Sequence, residues 1–243
     1  MSADCCFSTL LSAAQRGWLA CDGDEALLSL ALPIEGIDPL LALPQLAEQE
    51  SLQVLWDSAP GLCLAAAGPC QELELAGSRR FEQAQRFADL CLSRLHDTAA
   101  DSPAHARPRV LLRFRFFDQV SERRRSEAVV PSVQAVLPRW QLSRQGRRGW
   151  LRLNGVVSSA ADCRELAEQL WLKHEQLLKT PTTPPPLKPQ ALVAATEPET
   201  WRQRYAAALT RGIDLVNSGD LHKLVLAVQP VSYTHLRAHE THT

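Results

Sequence analysis

The 243-residue sequence has no glycine-rich loop of the kind that cradles phosphates, no G-x-S-x-G nucleophile elbow, no H-E-x-x-H metal helix and no calcium loop. Each absence removes the chemistry that such a motif announces. Net charge is almost absent too, at −1, so no long-range field draws the chain to nucleic acid or to an anionic membrane. The seven cysteines (Cys5, Cys6, Cys21, Cys63, Cys70, Cys91, Cys163) contain no C-x-x-C pair and no zinc-type double pair, and their number is odd. They read as reduced thiols that mostly fill the core. The N-terminus, MSADCCFSTLLSAAQRGWLACDGDE, carries neither a basic leader region nor a sustained apolar run. A signal peptide and a membrane anchor are therefore not expected, and the cytoplasm is the expected compartment.

What is present is ordinary for a globular protein able to build a core: 45% hydrophobic and 22% charged residues. Strand-like apolar runs occur at Ala26 to Pro33, Ser51 to Trp56, Leu62 to Gly68 and Cys70 to Gly77, separated by Pro, Gly and Asp. In the last, Leu73 and Leu75 alternate with Glu72 and Glu74, the period of a strand with one wet face. A meander of these four is expected. Further strands are predicted at Arg109 to Asp118, Ser132 to Arg144 and Gly149 to Val157, the second interrupted at Pro138, which cannot donate to a ladder. The arginines of SERRRSE between the first two are flanked by Glu122 and Glu127, as in a solvated loop.

Helical spacing appears in SRRFEQAQRFADLCLSRL, where Phe81, Ala84, Phe87, Ala88, Cys91 and Leu95 share one face. A second helix follows a Ser159 cap and carries Leu166, Leu170 and Leu177 on one side, with His174 at its surface or boundary. TPTTPPPLKP (Thr180 to Pro189) reads as a polyproline-II linker, with docking to an SH3-type groove as its other use. The third helix opens with a Thr196 to Glu199 capping box and is expected to bury Trp201, Tyr205, Ala208, Leu209 and Val216. Gly219 suits the left-handed residue that ends it. A strand, Leu221 to Val228, is predicted next.

The chain closes on VSYTHLRAHETHT, where His235, His239 and His242 fall at i, i+4, i+7. That spacing suggests a metal site on a helical face, and its low apolar content suggests a frayed terminus. A third reading fits better. The string VSYTHLRAHET resembles the in-frame translation of a common transposase-type sequencing adapter over Val231 to Thr241, and the preceding adapter bases suit the codon of Pro230. Val231 to Thr243 are expected to be adapter DNA read as protein, with the gene cut at about Gln229.

One residue stands out in what remains. Lys223 lies in the apolar run LHKLVLAV, sharing a strand face with Val225 and Ala227. A lysine there either snorkels to an edge or, desolvated, serves as a base or nucleophile. The segment WRQRYAAALTRGIDLVNSGDLHKLVLA resembles the opening helix and strand of the chorismate-utilising enzymes, within them the isochorismate synthase branch. AAAGPCQELELAGSRRFEQAQ, FRFFDQ and VLPRWQLSR are similar to that family's upstream segments.

The resemblance implies an α+β fold of largely antiparallel sheets with flanking helices, here a truncated form related to anthranilate synthase component I. Residues 1–180 form its N-terminal part, 181–190 a linker, 191–229 the start of the chorismate-binding core and 230–243 the adapter translation. It also implies chorismate as substrate, Mg²⁺ as cofactor, and Lys223 as the general base that activates water, since glutamine usually holds this position in branches that add ammonia. The acid glutamate and the metal-binding glutamates of the family are expected downstream of the cut, so the polypeptide as written is expected to be inactive. Salicylate synthase, which shares the lysine, and a non-catalytic α+β module that binds a partner through its Pro-rich run are the alternatives.

Overall fold

The computed structural model describes residues 3–21, 25–47, 52–58, 61–116, 131–179 and 198–225. The chain divides into two compact units, Met1–Pro184 and Pro185–Thr243, the division falling in the Pro-rich run, which lies outside the described residues. The SERRRSE segment, Thr196 and the three C-terminal histidines also lie outside them. Among the described residues no helix is long and apolar enough to cross a membrane.

The first unit is α+β. Along the chain come α1 (Ala3–Leu19), β1 (Ala26–Glu35), α2 (Pro39–Ala47), β2 (Gln53–Asp57), β3 (Leu62–Leu75), α3 (Arg80–Arg94), β4 (Leu95–Asp97), a 3₁₀ turn (Ala104–Ala106), β5 (Leu111–Phe114), β6 (Val133–Gln145), β7 (Arg148–Val157) and α4 (Ala160–Leu178). The strands form one sheet in the order β2-β3-β6-β7-β1-β4, with β5 also on β6. All pairings are antiparallel except β1 with β4.

The expected meander does not form. β1 pairs with β7 rather than with β2, because β6 and β7, joined by a tight turn with Gly146 at φ +62°, present a long edge that takes all ten residues of β1 in register. The two strands expected at Leu62 to Gly68 and Cys70 to Gly77 are one strand. Gly68 adopts φ 63° and the register shifts between Pro69 and Gln71, so the punctuation makes a bulge instead of an end. Pro138 likewise does not interrupt β6. It faces Pro69 across the ladder, so two residues without an N–H oppose each other at the irregularity.

One face of the sheet is covered by α1, α2 and α4. Leu28 and Leu30 of β1, Ala65 and Ala67 of β3, Leu142 of β6 and Leu151 and Leu153 of β7 pack there against Leu10, Ala42, Leu46, Leu166 and Leu170. Complete burial of a leucine contributes roughly 1.5–3 kcal/mol, so this layer dominates the unit's hydrophobic stabilisation. α4 starts where its sequence says. The Ser159 hydroxyl accepts from the Asp162 N–H at 3.1 Å, and Leu166, Leu170 and Leu177 are buried. The helix comes so close to β7 that a methyl group on Gly155 would lie 2.5 Å from Leu166 Cδ1. His174 sits at the boundary, 3.1 Å from the Pro33 carbonyl and stacked on Trp171.

In α3, Ala84, Ala88 and Cys91 are buried as the spacing requires, but Phe81 is exposed and stacks on Phe114 at 4.7 Å. Neither α1 nor α2 was expected from the sequence. α2 is nine residues long with Pro44 inside it, a composition that argues against a helix, and its burial of Ala42 and Leu46 overrides that.

The second unit contains α5 (Pro198–Asn217). Gly219 takes φ +80° and its N–H bonds the Val216 carbonyl, while the Leu221 N–H reaches back to Leu215, closing the helix as expected. Of its expected buried face, Ala208, Leu209 and Val216 are exposed and Tyr205 is half-buried, while the side chain of Trp201 lies outside those described. The strand predicted from Leu221 is also missing over Leu221–Val225, which are exposed and irregular. A strand needs a neighbour to receive its backbone bonds, and none of the described residues pairs with this one.

Candidate functional site

Lys223 stands in the exposed segment that follows Gly219, and its ammonium contacts no acidic group among the described residues. The desolvated strand lysine read from the sequence is therefore not what these residues build. Nearby, the Ser218 hydroxyl donates to Asp220 at 2.8 Å, which ties the turn together without reaching Lys223. No group of three His, Cys, Asp or Glu side chains among the described residues converges on a point that would hold a metal ion. These residues do not fit Mg²⁺.

The thiols behave as core fillers. Cys63, Cys91 and Cys163 are buried and free, and burial pushes the thiol of each up, that of Cys70 to about 11. A thiol held protonated in this way is a poor nucleophile and a poor metal ligand.

The polar chemistry of the first unit gathers elsewhere, on β7. In the run Leu151-Arg152-Leu153-Asn154, strand alternation turns the leucines toward the helices and Arg152 and Asn154 to the opposite face. Arg152 is 0% exposed. A guanidinium survives such burial only when it is paired and hydrogen-bonded. Its Nε donates to the Ala106 carbonyl at 3.0 Å, and its Nη1 donates to Ser29 Oγ at 2.7 Å and to Asp97 Oδ1 at 2.6 Å. Burial pulls the Arg152 pKa down, and the hydrogen bond and charge of Asp97 oppose that pull.

The bonds continue through Ser29. Its hydroxyl donates to Asn154 Oδ1, and Asn154 Nδ2 donates to the Pro138 carbonyl at 2.7 Å. The Ser29 carbonyl takes both the N–H and the hydroxyl of Thr98 at 3.0 Å. Further along, Gln141 accepts the Arg109 N–H at 3.1 Å and donates to the Arg107 carbonyl at 2.9 Å. Residues 98–110 are thereby strapped across β1, β7 and β6 by the Ser29 carbonyl and by the side chains of Arg152 and Gln141. On the strap, the His105 Nε2 is buried without a partner, and burial, Arg109 and Arg148, in that order, lower its pKa.

This cluster anchors the strap. Asp97 is committed to Arg152 and to the Ala99 N–H, and Arg152 Nε and Gln141 Nε2 donate to carbonyls, while Arg152 Nη2 is buried without a partner. Sequence reasoning placed β7 but singled out neither Arg152 nor Asn154. The available signal was two polar residues two apart inside an apolar strand.

Comparison with known proteins bears on the whole chain. The family described as chorismate binding enzyme matches residues 12–240, a span that includes Lys223 and runs into the Val231–Thr243 segment. No curated protein shows a significant match. Among solved structures, that of MenF, the menaquinone-specific isochorismate synthase from Escherichia coli, is similar over 76% of this chain and 37% of its own, with 18% identity and a TM-score of 0.40. This chain thus corresponds to little more than a third of that enzyme's length.

Proposed function

The chain belongs to the chorismate binding enzymes, and from that premise we propose that it is the N-terminal part of an isochorismate synthase in which Lys223 is the general base. The observation that carries the reading is the family match, whose span includes Lys223; that Lys223 stands where the water-adding branch has lysine is what the resemblance implies. In this reading the lysine takes a proton from water as the oxygen bonds to C2 of chorismate. The ring double bond shifts, and the C4 hydroxyl departs as water with a proton from a carboxylic acid. The atoms balance, since one water enters and one leaves, which makes the reaction an isomerisation. Mg²⁺ dependence belongs to the same reading by family resemblance.

The test uses the uninterrupted reading frame recovered from the source DNA. With chorismate and Mg²⁺ it is expected to form isochorismate, and Lys223→Gln is expected to lower kcat by about 10²–10⁴-fold, the usual worth of a general base. Salicylate with pyruvate as the product would move the protein to the neighbouring branch. Full activity in Lys223→Gln would end the assignment of the base. The 243-residue chain alone is expected to form no isochorismate, because its described residues bring neither an acid nor a metal-binding cluster to Lys223.

A further inference from the structure

A groove of about 900 Å³ opens on the first unit, between the edge strand β2 and the segment that leads into β5. That volume lies in the upper range of small-molecule sites. Val54 and Trp56 of β2 and Leu62 and Leu64 of β3 form one wall, and Leu111 of β5 stands on the other. Trp56 is 63% exposed, an unfavourable position for an indole unless something covers it.

The charge in the groove is one-sided. Its lining holds two cations, Arg109 and Arg113, and one acid, Glu72, whose carboxylate already accepts from Gln134 Nε2 at 2.7 Å. The backbone of Arg109 is fixed by Gln141 and its Nη2 donates to the Ala104 carbonyl at 3.3 Å, yet its Nε is buried without a partner. Arginines held beside an apolar wall offer charge-assisted donors to an incoming oxyanion.

We propose that this groove binds a small amphipathic monocarboxylate, its apolar body along Trp56, Val54 and Leu64 and its carboxylate at Arg109 and Arg113. Both halves of the ligand are required by the lining: the apolar wall supplies affinity without orientation, and the guanidiniums fix which end points where. The site is independent of Lys223 and of chorismate chemistry.

Decanoate and decanol, matched in length and differing in charge, serve as probes, read by calorimetry and by tryptophan emission on the 243-residue chain. Decanoate is expected to bind saturably, about tenfold or more tighter than decanol, a gap the arginines must supply. Arg113→Gln and Arg109→Gln, the former at an exposed position, are each expected to shrink that gap while leaving decanol unchanged. Trp56→Glu, also on an exposed side chain, is expected to abolish binding of both with an unaltered melting transition. Equal affinity for the two probes, no saturable binding below the micellar concentration, or binding that survives Trp56→Glu would each overturn the proposal.

Discussion

The two faces of the central sheet are buried to the same depth by opposite means. On one, Leu28, Leu30, Leu142, Leu151 and Leu153 meet three helices through apolar contact. On the other, Ser29, Gln141, Arg152 and Asn154 are equally inaccessible, and Gln141, Arg152 and the Ser29 carbonyl hold down a strap with no regular structure beyond one 3₁₀ turn. Apolar contact is non-directional and scales with area, so it suits helices, whose backbone bonds are internal. A strap leaves carbonyls and N–H groups unpaired, and only side-chain donors and acceptors at fixed positions satisfy them. This sheet thus sets its apolar residues against regular elements and its polar ones against an irregular crossing.

That contrast is open to attack from both sides. Arg152→Leu is expected to cost the most, about 3–5 kcal/mol, because it leaves Asp97 and Ser29 without their donor. Urea denaturation measures it, and the double variant Arg152→Leu with Asp97→Leu should lose less than the sum of the two single changes. A loss below about 1 kcal/mol would mean that the cluster is not holding the strap. On the apolar face, Leu30→Ala is expected to cost about 2–5 kcal/mol, whereas Leu30→Met should cost under about 1.5, since volume rather than geometry is what that face requires. Arg152→Lys, nominally as conservative, is expected to be the more damaging swap, because one ammonium cannot reproduce the forked bonds to Ala106, Ser29 and Asp97.

The smallest effect concerns His105. Its folded pKa lies below the ordinary 6.5, so between the two values the unfolded chain binds more protons. Its contribution to stability is therefore complete above pH 6.5 and is lost as pH falls through the folded value. Melting temperature measured against pH for the native chain and for His105→Gln should show a difference on the acid side that is absent above about pH 7.5. A difference constant across the whole range would place the histidine's role in packing alone.

Local pattern made much of this fold legible. β6 and β7 were expected at Ser132 to Arg144 and Gly149 to Val157 and occur at Val133–Gln145 and Arg148–Val157, since alternation along a strand is written in consecutive residues. The Ser159 cap was legible for the same reason. Strand order was not, because the preference of β1 for β7 over β2 is decided by surfaces that form only in three dimensions. The polar cluster was hidden by distance: Arg152 meets Ala106, Asp97 and Ser29 across 46, 55 and 123 residues of sequence. Lys223 shows the converse. Its sequence pattern is that of a strand, yet among the described residues no neighbour pairs with it, and periodicity alone supplies no partner.

The pairing of β1 with β7 also sets a timetable for synthesis. Ser29 and its partner Asn154 are 125 residues apart. At roughly 5–20 residues per second a ribosome takes about 6–25 s to cover that interval. Throughout it, the strand bearing Leu28 and Leu30 is synthesised ahead of the antiparallel edge that will complete it, and its apolar face is exposed to aggregation for that interval.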